Sequence, residues 1–240
     1  MISSEHRDEG APGGKMLKIS KFVTGPLETN VYFLIDTDTH KCVIVDPADN
    51  ADHIINIIDN ELLATPLLIL LTHAHFDHMT AAKEVAQHYG IGIRVNALDE
   101  SHMQDPEKNL SKRFYQPVSF LPSEYDTFKD GDTLRLLDRD IKVIGTPGHT
   151  PGSSCFFIEE GLSYTPNGAA ESKICPVLIA GDTLFQGSFG RTDFPGGSEE
   201  ELFKSIKEKL LVLPDNTSVF PGHGPQTSIA LEKRYNPAAY

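Results

Sequence analysis

The chain is poor in three things, and each shortage closes off a class of function. Cysteine occurs only three times in 240 residues, as Cys42, Cys155 and Cys175. That is an odd number at wide spacings, with neither a CxxC pair nor the dense framework of a small secreted domain, so a reducing, cytoplasmic setting is expected. Long apolar runs are missing as well. Leu67–Leu71, inside Pro66–Thr72, falls far short of the roughly 20 residues that span a bilayer. The polar, Gly- and Pro-containing Met1–Lys15 lacks the apolar stretch of a signal peptide and reads as a loose tail or an expression remnant. Basic charge is also scarce: 21 Lys and Arg against 34 Asp and Glu leave a net charge of −13. With no Lys/Arg run to form a patch, neither nucleic acid nor a membrane surface is an expected partner. The acidic balance singles out no partner protein and no oligomeric state.

What remains is an ordinary globular composition, 39% hydrophobic with 19 glycines, on a chain long enough for a sizeable core. Residues 16–240 read as one domain. Val31–Asp36 and Cys42–Asp46, separated by polar Thr37–Lys41, form a hairpin pattern. Asp52–Leu63 places Ile54, Ile55, Ile57, Ile58 and Leu62 on one helical face, with Asp49 or Asn50 as cap. A buried strand at Leu67–Leu71, a polar loop at Thr72–His78 and a helix over Met79–Tyr89 stopped by Gly90 follow. The second half offers strands at Thr133–Leu137, Ile141–Ile144, Ser154–Ile158, Val177–Ala180 and Thr217–Pro221, and a capping box, Ser198 to Glu201, opening a helix through Leu210. Glu159–Lys173, with Pro166, Asn167 and Gly168, reads as an exposed insertion. Mixed strands and helices make the fold α/β or α+β.

The chemistry concentrates in Thr72-His73-Ala74-His75-Phe76-Asp77-His78. Four potential ligands in six positions, at the end of a buried strand, can converge without burying backbone polar groups. Imidazole and carboxylate donors suit zinc, iron or manganese, and the lack of a nearby cysteine argues against a structural zinc finger. His149 in Thr146–Gly152, Asp182 in Gly181-Asp182-Thr183 and His223 in Pro221-Gly222-His223-Gly224 each follow an apolar strand and sit among Gly or Pro, which permit close backbone approach. Together with the motif they make a metal-site candidate.

In this order, His73-x-His75-x-Asp77-His78, His149, Asp182 and His223 resemble the metallo-β-lactamase superfamily, over Met16 to His223. The resemblance implies an αββα sandwich, two mixed sheets with helices on the outside and the metal site at one edge. Glu28-Thr29-Asn30, Gly181–Phe185 and Gly190–Gly197 are similar to the glyoxalase II-like thioesterases and the related persulfide dioxygenases. By this resemblance His73, His75 and His149 hold one divalent ion, Asp77, His78 and His223 a second, and Asp182 bridges them. Zinc is the expected metal, with iron and manganese as alternatives. A hydroxide between the ions would attack a thioester carbonyl, and Asp77 would orient it and take its proton. Arg191 matches a basic group that binds the glutathione part, its fork suited to a carboxylate. The other reading of Arg191 is a structural pairing with Asp193.

The leading expectation is therefore hydrolysis of a small-molecule thioester of the hydroxyacylglutathione type. The alternative is a persulfide dioxygenase with a single iron, against which stands Pro195 where that branch usually has Gln. β-Lactamase activity rests on fold analogy alone, and a binding module that merely kept the fold would be expected to have lost ligands. Gly224-Pro225 stands where glyoxalase II usually offers a tyrosine, and the helical glutathione-binding domain of the full-length enzyme has no counterpart after His223. His6, His40, His53, His88 and His102 are expected at the surface, Cys155 and Cys175 buried and inert. Phe114, Tyr115, Phe120, Tyr125 and Phe128 are expected in the core, with a pocket lining as the alternative.

Overall fold

The computed structural model describes residues 16–164 and 172–240, so the proposed tail at Met1–Lys15 lies outside them. Antiparallel β1 (Leu17–Thr24), β2 (Thr29–Asp36) and β3 (Lys41–Val45) open the chain. Then come α1 (Ala51–Asn56), β4 (Thr65–Leu70), α2 (Phe76–Met79), α3 (Ala82–Tyr89) and β5 (Gly92–Asn96). The short α4 (Glu100–Gln104) and α5 (Ser111–Phe114) precede β6 (Asp126–Phe128). From β3 to β6 neighbouring strands are parallel, which demands crossovers, and α1 and α3 supply the first two. The second half contains β7 (Thr133–Leu136), β8 (Arg139–Gly145), β9 (Ser154–Tyr164), β10 (Lys173–Gly181), the small hairpin β11 (Leu184–Phe185) and β12 (Ser188–Phe189), α6 (Glu199–Ser205), β13 (Ser218–Pro221), β14 (Thr227–Ser228) and α7 (Ile229–Tyr235).

Two mixed sheets result, β1 to β6 in one and β7-β8-β9-β10-β13-β14 in the other, joined by the single parallel pair Lys18↔Ser163. Side chains alternate faces along a strand, and here both faces are buried. Phe33 and Ile69 pack with Ile54, Ile58 and Val85 under the helices of the first half. Their chain neighbours Leu34 and Leu70 point the other way, meeting Phe156, Ile158 and Val177 between the sheets. Phe157 and Leu178 then face Leu202, Ile206 and Ile229 beneath α6 and α7. Three apolar layers between helix, sheet, sheet and helix are the αββα sandwich that the resemblance implies.

The caps behave as their residues dictate. Asn50 Oδ1 accepts from His53 N at 3.1 Å, Ser198 Oγ accepts from Glu201 N at 3.3 Å, and Gly90 closes α3 at φ 66. Both α1 and α6 continue through a π-type turn, to Leu62 and Leu210. The expected insertion at Glu159–Lys173 is corrected: β9 runs on to Tyr164 and β10 begins at Lys173, with residues 165–171 outside the described set. Glu159 and Glu160 are polar because they face outward, paired with Lys142 at 2.6 Å and Arg139 at 3.0 Å on β8. β1 has no counterpart among the expected elements; its lysines mask an alternation that pairs along its whole length with β2.

Candidate metal centre

Strands β4, β8, β10 and β13 end at one edge of the sandwich, and each delivers a loop bearing part of the motif. His73 and His75 leave β4, Asp77 and His78 ride on α2, and His149, Asp182 and His223 follow β8, β10 and β13. Their donor atoms form two lobes. Those of His73, His75 and His149 lie within 4.8 Å of one another, as do those of Asp77, His78 and His223. Asp182 reaches both lobes: Oδ1 is 3.4 Å from His78 Nε2, while Oδ2 is 3.5 Å from His223 Nε2 and 3.7 Å from His149 Nε2. Asp77 Oδ2 lies 3.2 Å from His223 Nε2.

The hydrogen-bond pattern fixes which ring nitrogen faces inward. His78 Nδ1 donates to Asp46 Oδ2 at 2.9 Å, His149 Nδ1 to the Arg191 carbonyl at 2.6 Å, and His223 Nδ1 to the Leu27 carbonyl at 3.0 Å. Thr72 Oγ1 donates to Asp46 Oδ2 at 2.7 Å and therefore accepts from His73 Nδ1 at 3.1 Å. Each contact leaves Nε2 with its lone pair toward the cluster, the arrangement outer partners impose on ligating imidazoles. His75 differs, its Nδ1 lying 2.9 Å from His149 Nε2. His73 Nε2, His75 Nε2, His78 Nε2 and Asp182 Oδ1 are buried without any hydrogen-bond partner. Buried polar atoms are rarely left so, and four converging on one spot fit divalent metal ions that accept nitrogen and carboxylate donors.

Protonation divides along the same lines. Burial holds the His73 and His75 imidazoles well below their ordinary pKa, reinforced by the neighbouring histidines, so both stay neutral. Burial also opposes charge on His78 and His223, but the Asp182 and Asp77 carboxylates outweigh it and push both upward. Asp182 is drawn well below the carboxylate range because His78, His223 and His149 together overcome its burial.

Several organising residues carry no sequence signature. Asp46, at φ 53, also accepts from Thr72 N at 2.8 Å. Asp99 is fully buried and joins two ligand loops, accepting from Ala74 N at 2.9 Å, Thr150 Oγ1 at 2.8 Å and Gly152 N at 2.7 Å. Asp99→Ala strands those donors at about 1–3 kcal/mol each, and a fall in Tm of at least about 5 °C is expected in thermal unfolding. An unchanged Tm would show that water replaces the carboxylate. At the far end of the chain, Glu232 and Asn236 of the C-terminal segment grip the β11–β12 hairpin. Glu232 Oε2 accepts from Gly187 N at 2.9 Å and from Asn236 Nδ2 at 2.8 Å, and Asn236 Nδ2 donates to the Ser188 carbonyl at 2.8 Å.

Other sequence expectations divide. The structure brings Arg191 to the rim of the cluster, but with its Nε and Nη2 on Asp193 at 2.9 and 2.7 Å and its guanidinium 4.2 Å above Phe194. All three cysteines are buried and unpaired, and burial pushes Cys42 up to about 12 and Cys155 to about 11. His40, His53 and His88 are exposed, and His6 lies outside the described residues. His102 is corrected: it is 3% exposed, its Nε2 donating to the Pro195 carbonyl at 3.2 Å, because α4 turns inward beside Asp99. Phe120, Tyr125 and Phe128 lie in the core, whereas Phe114 and Tyr115 are 52% and 40% exposed.

Fold and site together define a metal-dependent hydrolase. The profile of the metallo-beta-lactamase superfamily matches residues 24–161 and 167–223, and the chain belongs to that superfamily. It is 37% identical over 222 residues to the probable metallo-hydrolase YqgX of Bacillus subtilis, covering 92% of this chain and 97% of that one. To the hydroxyacylglutathione hydrolase GloC of Haemophilus influenzae it is 36% identical over 206 residues, covering 85% and 90%. Among solved structures, the BLEG-1 B3 metallo-beta-lactamase superposes with a TM-score of 0.80 at 35% identity, covering 91% of this chain and 98% of that one. TTHA1623 in a di-iron-bound form gives a TM-score of 0.73 at 33% identity, with the same coverages.

Proposed function

We propose that this protein hydrolyses small-molecule thioesters of the hydroxyacylglutathione type at a two-ion centre. The observation that carries the reading is the two-lobed cluster with Asp182 between its lobes. In this reading His73, His75 and His149 hold one ion, Asp77, His78 and His223 the other, and Asp182 both. Zinc is the favoured metal, and the di-iron relative keeps iron in play. When bound, a pair of divalent ions polarises a carbonyl and brings the pKa of water near neutrality.

The residues themselves do the rest. Asp182, kept anionic by three imidazoles, offsets positive charge and sets the separation of the lobes. Asp77 Oδ2, on the rim beside His223, orients the attacking water and accepts its proton. The leaving thiolate needs no dedicated acid, since a thiol pKa near roughly 8.5 already makes it a competent leaving group. The likeness to GloC supports the thioester class, and buried, unpaired cysteines suit a reducing cytoplasm. Among the described residues no helix is long and apolar enough to cross a membrane.

The test is elemental analysis of protein purified without chelators or oxygen, followed by a thioester panel. About two divalent ions per chain with thioester turnover are expected. A single iron, no thioester turnover and oxygen consumption on a persulfide would replace the hydrolase with the dioxygenase.

A further inference from the structure

The rim of the cluster carries an aromatic shelf. Phe76, between His75 and Asp77, stacks at 24° on both Phe114 and Tyr115, with ring centroids 6.5 and 5.8 Å away. Phe114 meets the edge of Phe194 at 6.3 Å, and Phe194 meets His75 at 5.8 Å. The rings thus run continuously from a candidate ligand to solvent, although Phe114 and Tyr115 are half-exposed where a core would bury them. The shelf is held firmly. Buried Asn109 donates from Nδ2 to the His102 and Val118 carbonyls at 3.0 and 2.9 Å, its Oδ1 accepts from Ser111 N at 3.0 Å, and its carbonyl accepts from Phe76 N at 3.0 Å.

Cations around the shelf are nearly all occupied. Arg191 is bidentate on Asp193, Lys112 pairs with Glu107 and Lys83 with Glu124. Among the described residues neither Lys108 nor Arg113 has a carboxylate within ion-pair distance, and of the two it is Arg113 that is stacked on the shelf, its guanidinium 4.9 Å above Phe114. Arg191 lies over Phe194, whose ring meets Phe114, so both guanidinia stand on one rim, and Arg113 adds, after Arg191, to the lowering of the Asp193 carboxyl. Stacking on an aromatic face pre-orients a guanidinium while leaving its N–H fork free. In a chain of net charge −13, an unpaired fork at the mouth is what attracts and selects an anion.

We propose that Arg113, rather than Arg191, anchors an anionic group on the thiol-carrier arm of the substrate, with Phe114 and Phe194 as the shelf along which that arm lies. The substrate is then a thioester whose carrier ends in a carboxylate or similar anion. This rests on the thioesterase reading, so the test has one arm that turnover does not enter.

Two thioesters with the same acyl group, one with a carrier ending in carboxylate and one in carboxamide, are compared on the metal-loaded full chain. Wild type is expected to show the lower KM for the carboxylate. Arg113→Ala raises that KM about fivefold, the scale of one solvent-exposed charge-assisted contact, with kcat and the carboxamide KM unchanged, and Arg113→Lys restores part of the preference. Phe114→Ala raises both KM values together. The same comparison by calorimetry uses non-hydrolysable thioethers of the two carriers. If no thioester is turned over but the thioether carboxylate still binds more tightly in an Arg113-dependent manner, the subsite stands and the hydrolase reading falls. An unchanged carboxylate preference in Arg113→Ala, loss of that preference in Arg191→Ala alone, or no thioether binding at all overturns the proposal.

Discussion

Asp182→Ala is expected to cut kcat/KM for thioester hydrolysis by more than the roughly 10–100-fold that loss of an outer metal partner costs, while the fold survives. Among the described residues Asp182 is the one side chain whose carboxylate oxygens face both lobes, at 3.4 Å from His78, 3.5 Å from His223 and 3.7 Å from His149. Removing it leaves His78, His223 and His149 without the carboxylate that faces them, and the lobes lose their common donor. The first measurement is metal content, expected to fall from about two ions per chain toward one. The second is circular dichroism, expected to be unchanged, since Asp182 lies on a loop beyond β10 rather than in an apolar layer. Full activity with two ions retained would remove the bridging role and with it the two-ion hydrolase.

Gly222→Ala is expected to be nearly as damaging, although it removes no donor. A Cβ at this position would sit on Asp182 Oδ1 and lie 2.6 Å from His78 Cε1, closer than side-chain carbons pack. The backbone cannot retreat, because Gly222 N donates to the Gly181 carbonyl at 2.8 Å and the Gly222 carbonyl accepts from Asn30 N at 2.8 Å. Asn30 Nδ2 and the Tyr32 hydroxyl hold the preceding Pro221 carbonyl at 2.8 and 2.6 Å. The methyl must therefore push Asp182 or His78 off position, and displacement by about 1 Å costs on the order of 10²-fold in rate. Metal titration should show weakened binding in the Asp77, His78 and His223 lobe. Gly92→Ala is the control, since a methyl there meets only Leu68 Cδ1 at 3.7 Å, and it should behave as wild type. Wild-type activity and metal content in Gly222→Ala would mean that the loop has freedom its hydrogen bonds do not suggest.

How much of this was readable beforehand depended on whether a residue's role is written in its neighbours along the chain. His73 to His78 announce themselves by density, and the fold class follows from strands and helices whose periodicities are local. The sheets' double burial is local too, appearing as unbroken apolar runs such as Val43–Val45. Asp46 and Asp99 are invisible in the sequence because their partners are 25 to 53 residues away, and nothing in a lone aspartate distinguishes a buried acceptor from a surface charge. The burial of His102 is hidden for the same reason, its partner Pro195 lying 93 residues away. Arg191 was legible as a fork but its partner, two residues on, occupies it. Arg113 gave no signal, since its significance lies in what it does not pair with and in the ring beneath it.

The grip of Glu232 and Asn236 on the β11–β12 hairpin has a mechanical meaning. The hairpin begins just after Asp182 and runs out toward Arg191, whose carbonyl orients His149, so both ends of this small lever finish at the cluster. Load applied to the last turns of the chain is transmitted through two side chains to the carboxylate between the lobes. A fused domain or an affinity tag that tugs on α7 would thus act as a remote tension on the site, whereas the same attachment ahead of β1 pulls on a strand bonded along its whole length.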